Sequence, residues 1–153
     1  MKIQQATTQE EIAQARALFE EYAIWLSVDL CFQGFSAELA GLPGYYAPPR
    51  GRLLLALLDK EPAGCVALRP LSESACEMKR LFVRPAFRRR GAGRELSERI
   101  IAEAKAIGYS TMRLDTLPTI REALRLYETL GFARCAAYYD TPLPETIFLE
   151  LQL

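Results

Sequence analysis

The chain has 153 residues, half of them hydrophobic and a quarter charged, and its formal net charge is zero. That composition is typical of one globular domain over residues 1–153, and the zero net charge is evidence against a nucleic-acid partner. The absence of histidine excludes the usual general base near neutral pH, the commonest metal ligand and every Ser-His or Cys-His nucleophile pair.

Other features of the sequence predict where the protein works. The longest purely apolar run, Leu53–Leu58, is too short to cross a bilayer, and the N-terminus lacks the residue order of a signal peptide. The four cysteines are widely spaced and form no CxxC pair, which is typical of reduced core thiols. We predict a cytoplasmic protein with no membrane partner and no metal.

The first predicted elements are a short strand at Ile3–Ala6 and an amphipathic helix over roughly 9–27. Thr8 and Glu11 form a capping-box pattern that predicts the start of the helix. Six apolar residues then recur at helical spacing, namely Ile12, Ala15, Phe19, Tyr22, Ala23 and Leu26. The following segment, 29–51, is irregular, with one short helix predicted at Ser36–Ala40.

Three strands are predicted next. Leu53–Leu58 and Gly64–Leu68 are apolar runs separated by a short turn, which predicts a hairpin. The third strand, Cys76–Val83, has charges at Glu77, Lys79 and Arg80 that are unusual inside a central strand. We therefore expect that half of the strand to line a wet cleft.

The second half of the chain alternates helices and strands. Apolar spacing predicts a helix over 93–107, which Gly108 ends, and a strand at Thr111–Thr116. Thr119 and Glu122 form a second capping-box pattern, before a helix that Gly131 ends. Two strands close the chain, at Phe132–Tyr139 and Thr146–Leu153. This order predicts an α/β fold with an α+β mixed sheet and helices on both faces.

Residues 78–94 are the most informative segment. They include seven Lys or Arg residues and no acidic residue, in a chain without net charge. A strand, a turn with Gly91 and Gly93, and a helix start follow one another there. In this geometry backbone N–H groups and a helix dipole bind phosphate. The concentrated positive charge therefore predicts an anionic ligand.

Two motifs resemble those of the GNAT N-acetyltransferase superfamily. Arg88-Arg-Arg-Gly91-Ala-Gly93, directly before a helix, resembles the acetyl-CoA-binding signature of Arg or Gln, two residues, Gly, one residue, then Gly or Ala. Ala123–Phe132 resembles the second landmark of the family, an Ala-x-x-x-Tyr helix that ends in Gly-Phe. The resemblance covers roughly 53–140, whereas 1–52 match only in their helical outline.

The resemblance implies a GNAT-like fold, with a mixed, mostly antiparallel sheet of about six to seven strands, and acetyl-CoA as the co-substrate. It implies that backbone N–H groups of the arginine–glycine turn bind the pyrophosphate, and that the end of strand Cys76–Val83 pairs with the pantetheine arm. Many members carry an Asn where this chain has Ile120, so Thr119 is the candidate for that pantetheine contact. The candidate cofactor-binding residues are Leu81, Phe82, Val83, Arg88, Arg89, Arg90, Gly91, Ala92, Gly93, Arg94 and Thr119.

Tyr127 is the candidate general acid. Attack of an amine on a thioester expels a thiolate, whose conjugate acid has a pKa of about 8.5, and a tyrosine with a pKa of about 10 can supply the proton. The family commonly has a tyrosine at this position. The alternative is that Tyr127 only packs on the apolar face of its helix.

Glu77 is the candidate base, because Glu77–Val83 resembles a Glu-x-x-x-Leu-x-Val strand of the family in which the Glu often acts through water. The alternative is an ion pair with Lys79 or Arg113. Arg113 and Asp115 share one strand face. They could hold a substrate carboxylate and amine, but pairing with each other or with Glu77 is the expected outcome.

In the family, the irregular N-terminal region covers the acceptor site. Here it is rich in aromatic side chains, which predicts a partly aromatic pocket or lid, although loop packing onto the sheet explains any single one of them. The aromatic residues are Trp25, Phe32, Phe35, Tyr45 and Tyr46, and Gln33 lies among them.

The sequence therefore predicts an enzyme that moves an acetyl group from acetyl-CoA to a primary amine of a small molecule, such as an amino acid, by direct attack. An acyl-enzyme on Cys76 or Cys135 is disfavoured because no histidine is present to activate a thiol. Two alternatives stay open, a protein or peptide N-acetyltransferase and a non-catalytic acyl-CoA-binding sensor. A homodimer is common for this fold, and nothing in the sequence fixes it.

Overall fold

The computed structural model describes residues 1–153 and contains one sheet of seven strands. The strands are β1 (Lys2–Gln5), β2 (Arg52–Leu58), β3 (Glu61–Pro70), β4 (Ala75–Val83), β5 (Thr111–Thr116), β6 (Ala133–Arg134) and β7 (Ile147–Gln152). The helices are α1 (Gln9–Leu26), α2 (Phe35–Ala40), α3 (Ala92–Ile107) and α4 (Arg121–Thr129). Short 3₁₀ turns lie at Cys31–Gln33, Gly44–Tyr46 and Pro85–Phe87.

The strand order in the sheet is β1-β2-β3-β4-β5-β7-β6. Every neighbouring pair is antiparallel except β4 and β5, which run parallel. The predicted α/β class with a mixed, mostly antiparallel sheet is therefore confirmed. None of the helices is both long and apolar enough to cross a membrane.

Two apolar clusters lie on opposite faces of the sheet, because successive side chains of a strand point to opposite sides. Leu54 and Ala56 of β2 belong to the cluster under α3 and α4, whereas Leu53 and Leu55 belong to the cluster under α1. The helices thus cover both faces, as the sequence predicted.

The first capping box is confirmed. The Thr8 hydroxyl accepts from the Glu11 N–H at 3.1 Å, and the Glu11 carboxylate accepts from the Thr8 N–H at 2.9 Å. The second capping box is wrong, because α4 has Ile120 at its N-cap and no side chain caps it. Thr119 lies one position too early for its hydroxyl to reach the first turn.

The predicted strand at Phe132–Tyr139 is also wrong for most of its length, since only Ala133–Arg134 pair with β7. After Cys135 the chain leaves the sheet, and the Tyr138 and Tyr139 rings pack against Phe148. Their hydroxyls bond carboxylates on β4 and β5 instead of extending the sheet.

Candidate active site

The parallel strands β4 and β5 separate partway along the sheet. Their pairing covers only Ala75–Glu77 of β4 and Thr111–Arg113 of β5. A cavity of about 800 Å³ occupies the opening beyond that point, and we call it the main cavity. It is lined by the second half of β4, the start of α3, the end of β5, α4 and part of α1.

One edge of β4 faces this cavity with its main chain. The Arg84 N–H donates to the Ala63 carbonyl at 2.8 Å, on the β3 side. Because main-chain groups alternate in direction along a strand, those of Leu81 and Val83 point towards the main cavity. The Val83 carbonyl there accepts from Arg88 Nε at 2.9 Å. The Phe82 side chain is buried in the cluster under α1.

The arginine–glycine turn closes one end of the main cavity. Its backbone is left-handed at Arg89 (φ 64°) and at Gly91 (φ 81°), and α3 begins at Ala92 without a side-chain cap. The N–H groups of Ala92, Gly93 and Arg94 have no hydrogen-bond partner within the chain. Unpaired N–H groups at the positive end of a helix dipole are suited to an anion.

The arginine side chains of this turn have different surroundings. Arg88 and Arg89 line the main cavity, and the Arg88 guanidinium lies 4.7 Å from the Trp25 ring centre. Arg90 and Arg94 do not line it. The Arg94 guanidinium instead pairs with Glu98 at 3.1 Å and donates to the hydroxyl of Thr129.

Tyr127, on α4, also lines the main cavity, with its ring edge-on to Phe132. Burial raises the pKa of Tyr127 above its usual value, so the hydroxyl keeps its proton. Thr119 lines the same cavity, and its hydroxyl makes no hydrogen bond within the chain. Asp115 is the carboxylate on β5 that lines it, and it accepts from the Tyr139 hydroxyl at 2.9 Å.

A second cavity, of about 530 Å³, lies between β3, β4 and the irregular N-terminal segment. Phe32, Gln33 and Lys79 line both cavities, so the two adjoin there. The aromatic residues predicted to form a pocket are divided between them. Trp25 lines the main cavity, and Tyr45 and Tyr46 line the second. Phe35 lines neither.

Glu77 lies in the second cavity and does not line the main one, and its side chain is 1% exposed. Its carboxylate accepts from Arg69 Nε at 2.7 Å and from the Tyr138 hydroxyl at 2.6 Å. The Lys79 ammonium lies 3.8 Å from it, so the pairing with Lys79 that the sequence allowed is present. Of the three β4 charges expected beside a wet cleft, Glu77 and Lys79 line this cavity, whereas Arg80 lines the main cavity.

The expectations for Arg113 are wrong. Its guanidinium faces Glu150 on β7 at 3.5 Å, and it pairs with neither Asp115 nor Glu77. It lines neither cavity. The antiparallel register explains this, since Arg113 lies directly opposite Glu150.

The other partners of the β4 charges were not predicted. Arg80 donates two bonds to the Glu38 carboxylate, at 2.9 and 3.0 Å, and its guanidinium lies over the Phe35 ring. Arg69 and Tyr138 hold Glu77 as described. The pair of adjacent tyrosines at 138 and 139 is the only local sequence feature that points to Tyr138. No local sequence pattern indicates a role for Arg69 or Glu38.

A family model described as the acetyltransferase (GNAT) family matches residues 9–132. The chain belongs to the GNAT acetyltransferase family. Among its relatives, an uncharacterized N-acetyltransferase of Schizosaccharomyces pombe is 38% identical over 94% of this chain and 90% of the relative. The N-acetylaspartate synthetase of Danio rerio is 32% identical over 70% of this chain but only 39% of its own length.

Solved structures agree with the GNAT assignment. An acetyltransferase from Streptococcus agalactiae superimposes with a TM-score of 0.82, over 99% of this chain and 98% of the other, at 21% identity. A GNAT acetyltransferase from Elizabethkingia anophelis with acetyl-CoA bound has a TM-score of 0.59, covers 67% of this chain and 76% of the other, and is 27% identical. This GNAT protein is therefore an acyl-CoA N-acyltransferase with the fold of its family.

Proposed function

We propose that this GNAT acetyltransferase transfers the acetyl group of acetyl-CoA to a primary amine of a small molecule. The observation that carries the proposal is the junction of the two cavities at Phe32, Gln33 and Lys79. One cavity offers an open strand edge and unpaired N–H groups for the donor. The other offers a space of about 530 Å³, a volume typical of small-ligand sites and too small for a folded protein.

The donor binds in the main cavity. The N–H groups of Ala92, Gly93 and Arg94 hold the pyrophosphate, with Arg88 and Arg89 adding positive charge at the cavity wall. The main chain of Leu81 and Val83 pairs with the pantetheine arm, and Thr119 offers a hydroxyl to it. The acetyl-CoA held by the Elizabethkingia anophelis relative supports this donor.

The reaction is a direct transfer. The amine nitrogen forms a bond to the thioester carbonyl carbon, the carbon–sulfur bond breaks, and the thiolate takes the hydroxyl proton of Tyr127. Burial raises the pKa of Tyr127, so its hydroxyl is protonated before the step and is available as the proton donor when the thiolate forms.

Two carboxylates serve the amine. Asp115 lines the main cavity and has no ion-pair partner, so it binds the acceptor ammonium before attack. Glu77 takes the amine proton through water from the neighbouring cavity. An amine with a pKa of about 8 costs only about 1.4 kcal/mol to deprotonate at pH 7, and one with a pKa of about 10.4 costs about 4.6 kcal/mol, so the need for the base grows with the pKa of the acceptor.

No acyl-enzyme is needed. Cys76 and Cys135 line neither cavity, and burial raises the pKa of Cys76 to about 12, so that thiol is not ionised at neutral pH. The name of the Danio rerio relative supports a small amino acid as the acceptor.

The test is thiol release from acetyl-CoA across a panel of amino acids, polyamines, aminoglycosides and peptides. We expect stimulation by at least one small amine, and Tyr127→Phe should lower kcat by about 100-fold or more while acetyl-CoA still raises the Tm. Peptides as the only active acceptors, or no active acceptor at all, would contradict the proposal. Full activity of Tyr127→Phe would remove this residue from the mechanism.

A further inference from the structure

Three hydrogen-bond donors in the second cavity lack good partners. The Lys79 side chain is 8% exposed, yet its ammonium is 3.4 Å from Gln33 Oε1 and 3.8 Å from the Glu77 carboxylate, with nothing closer. Tyr46 is 2% exposed and its hydroxyl has no hydrogen-bond partner. Arg69 uses only Nε, on Glu77, and its two terminal nitrogens make no hydrogen bond.

The acids around the same cavity are already occupied. Glu77 accepts from Arg69 and from Tyr138. Both oxygens of Glu38 accept from Arg80. Both acids are therefore already bonded to donors, whereas the three donors above lack close partners.

This imbalance is costly as long as the cavity holds no anion. A buried donor without a close partner, as at Lys79 and Tyr46, loses its hydration and gains little in return, whereas the Arg69 side chain is 36% exposed and still meets solvent. Burial lowers the pKa of Lys79, with the Arg80 charge acting in the same direction. An anionic group among these donors would satisfy the Tyr46 hydroxyl, shorten the contacts of the Lys79 ammonium and engage the free edge of Arg69.

We propose that the second cavity is a carboxylate subsite, in which Lys79, Tyr46 and Arg69 bind the carboxylate of the acceptor. The acceptor class is then an amine that also carries a carboxylate, as in an amino acid. This inference rests on the proposed function, because it requires the amine of the same molecule to reach the main cavity through the junction. Arg113, which the sequence pattern also allowed as a carboxylate-binding residue, lines neither cavity.

The kinetic test compares an amino acid with its primary amide, which keeps the amine and loses the negative charge. In the unaltered enzyme we expect kcat/KM to favour the amino acid by roughly 10- to 100-fold, the effect of a hydrogen bond to a charged group. Lys79→Met should abolish most of this preference, because kcat/KM should fall by a much larger factor for the amino acid than for the amide. Lys105→Met, an exposed lysine on α3, is the matched control and should change neither value.

Tyr46→Phe provides a second variant that is expected to fold. Its hydroxyl makes no close hydrogen bond, although burial and the nearby Glu38 carboxylate raise its pKa, so the Tm should change little, while KM for the amino acid rises and KM for acetyl-CoA does not. A preference for the amino acid that survives both variants would overturn the subsite. So would an equal loss for the amino acid and its amide in Lys79→Met.

A binding experiment tests the subsite independently of catalysis. Succinate, with succinamide as the neutral control, is added to the enzyme saturated with coenzyme A, and the Tm is measured. We expect succinate alone to raise the Tm, and Lys79→Met to remove the effect. If no amine is acetylated but succinate still stabilises the enzyme through Lys79, the proposed function fails and the subsite stands. No Tm shift with succinate would overturn the subsite.

Discussion

The main cavity and the second cavity present different kinds of binding groups. The main cavity offers main-chain groups, namely the open edge of β4 at Leu81 and Val83 and the N–H groups that begin α3. The second offers charged and hydroxyl side chains from separate elements, among them Lys79, Arg69 and Tyr46.

The difference shows how one fold can keep its donor and change its acceptor. Main-chain groups are available wherever the strands separate and the helix begins, and many sequences can produce that backbone. Side-chain donors exist only where the sequence supplies them, and each substitution alters the pocket. We therefore expect variants of the two cavities to change different kinetic parameters.

On the acceptor side, the largest effect is expected from Glu77→Gln. If Glu77 is the base, kcat/KM for the amine should fall by about 100-fold at pH 7, and the loss should shrink as the pH rises and more of the amine is unprotonated, while KM for acetyl-CoA changes little. Tyr138 can still donate to the new amide oxygen, but the amide nitrogen replaces the oxygen that accepts from Arg69, so the Tm is measured beside the kinetics.

Asp115→Asn is the matched comparison for Glu77→Gln, because it also replaces a carboxylate near the acceptor by a neutral amide. We expect it to raise KM for the amine more than it lowers kcat. A larger loss of kcat in Asp115→Asn than in Glu77→Gln would move the base assignment to Asp115. A fall in Tm with an unchanged pH profile in Glu77→Gln would give Glu77 a structural role only.

An intermediate effect, confined to the donor, is expected from Gly93→Ala. A Cβ at Gly93 would lie 3.8 Å from Leu126 and 3.9 Å from Val83, which are ordinary contacts, so the fold should accept it. Alanine inside a helix is favoured over glycine by about 0.5–1 kcal/mol, so the Tm should not fall. The Kd for coenzyme A, measured calorimetrically, should rise about tenfold, which corresponds to a loss of about 1.4 kcal/mol of binding free energy.

The Kd for coenzyme A in Gly93→Ala is the value that decides the donor model. An unchanged Kd would show that the pyrophosphate does not approach this position closely. A change in KM for the amine without a change in Kd for coenzyme A would contradict the proposal that the main cavity binds the donor and the second cavity binds the acceptor.

The smallest effect is expected outside both cavities, from Glu11→Gln in the first capping box. Hydrogen bonds from the Thr8 backbone lower the pKa of Glu11 from 4.5 to about 2. Because the folded-state pKa is depressed, its contribution to stability is present above pH 4.5 and is lost as the pH falls towards 2.

Glu11→Gln should therefore lower the free energy of unfolding by about 1 kcal/mol at pH 7 and flatten its decline between pH 4.5 and 2. Denaturant unfolding at several pH values measures both quantities. Equal acid sensitivity in the variant would contradict the assigned role of Glu11, and kcat/KM should be unchanged throughout.

Local sequence was a good guide to the elements and to the donor side. The strands, the helices and the arginine–glycine turn were predictable because apolar spacing, caps and glycine conformations act over a few residues. The second capping box failed by a single position, and the strand at Phe132–Tyr139 failed because its tyrosines bond residues far along the chain.

The acceptor side was predictable only in outline. Charges inside β4 indicated a wet cleft, but Arg113 was expected to pair with Asp115 or Glu77 and instead faces Glu150 across the sheet. Glu77 meets Tyr138, 61 residues away in the chain, and Arg80 meets Glu38, 42 residues away. No spacing rule links such positions.

The sequence by itself determined the fold class, the glycine-containing start of α3 with its unpaired N–H groups and the tyrosine on α4, because each depends on residues that are neighbours in the chain. Only the tertiary structure decided which charges are paired and which donors are left free. Those partners come from β3, β4, α2 and the segment after β6, and the strand register and the loop paths bring them together. The motif therefore identifies the donor, and the folded arrangement of side chains determines the acceptor.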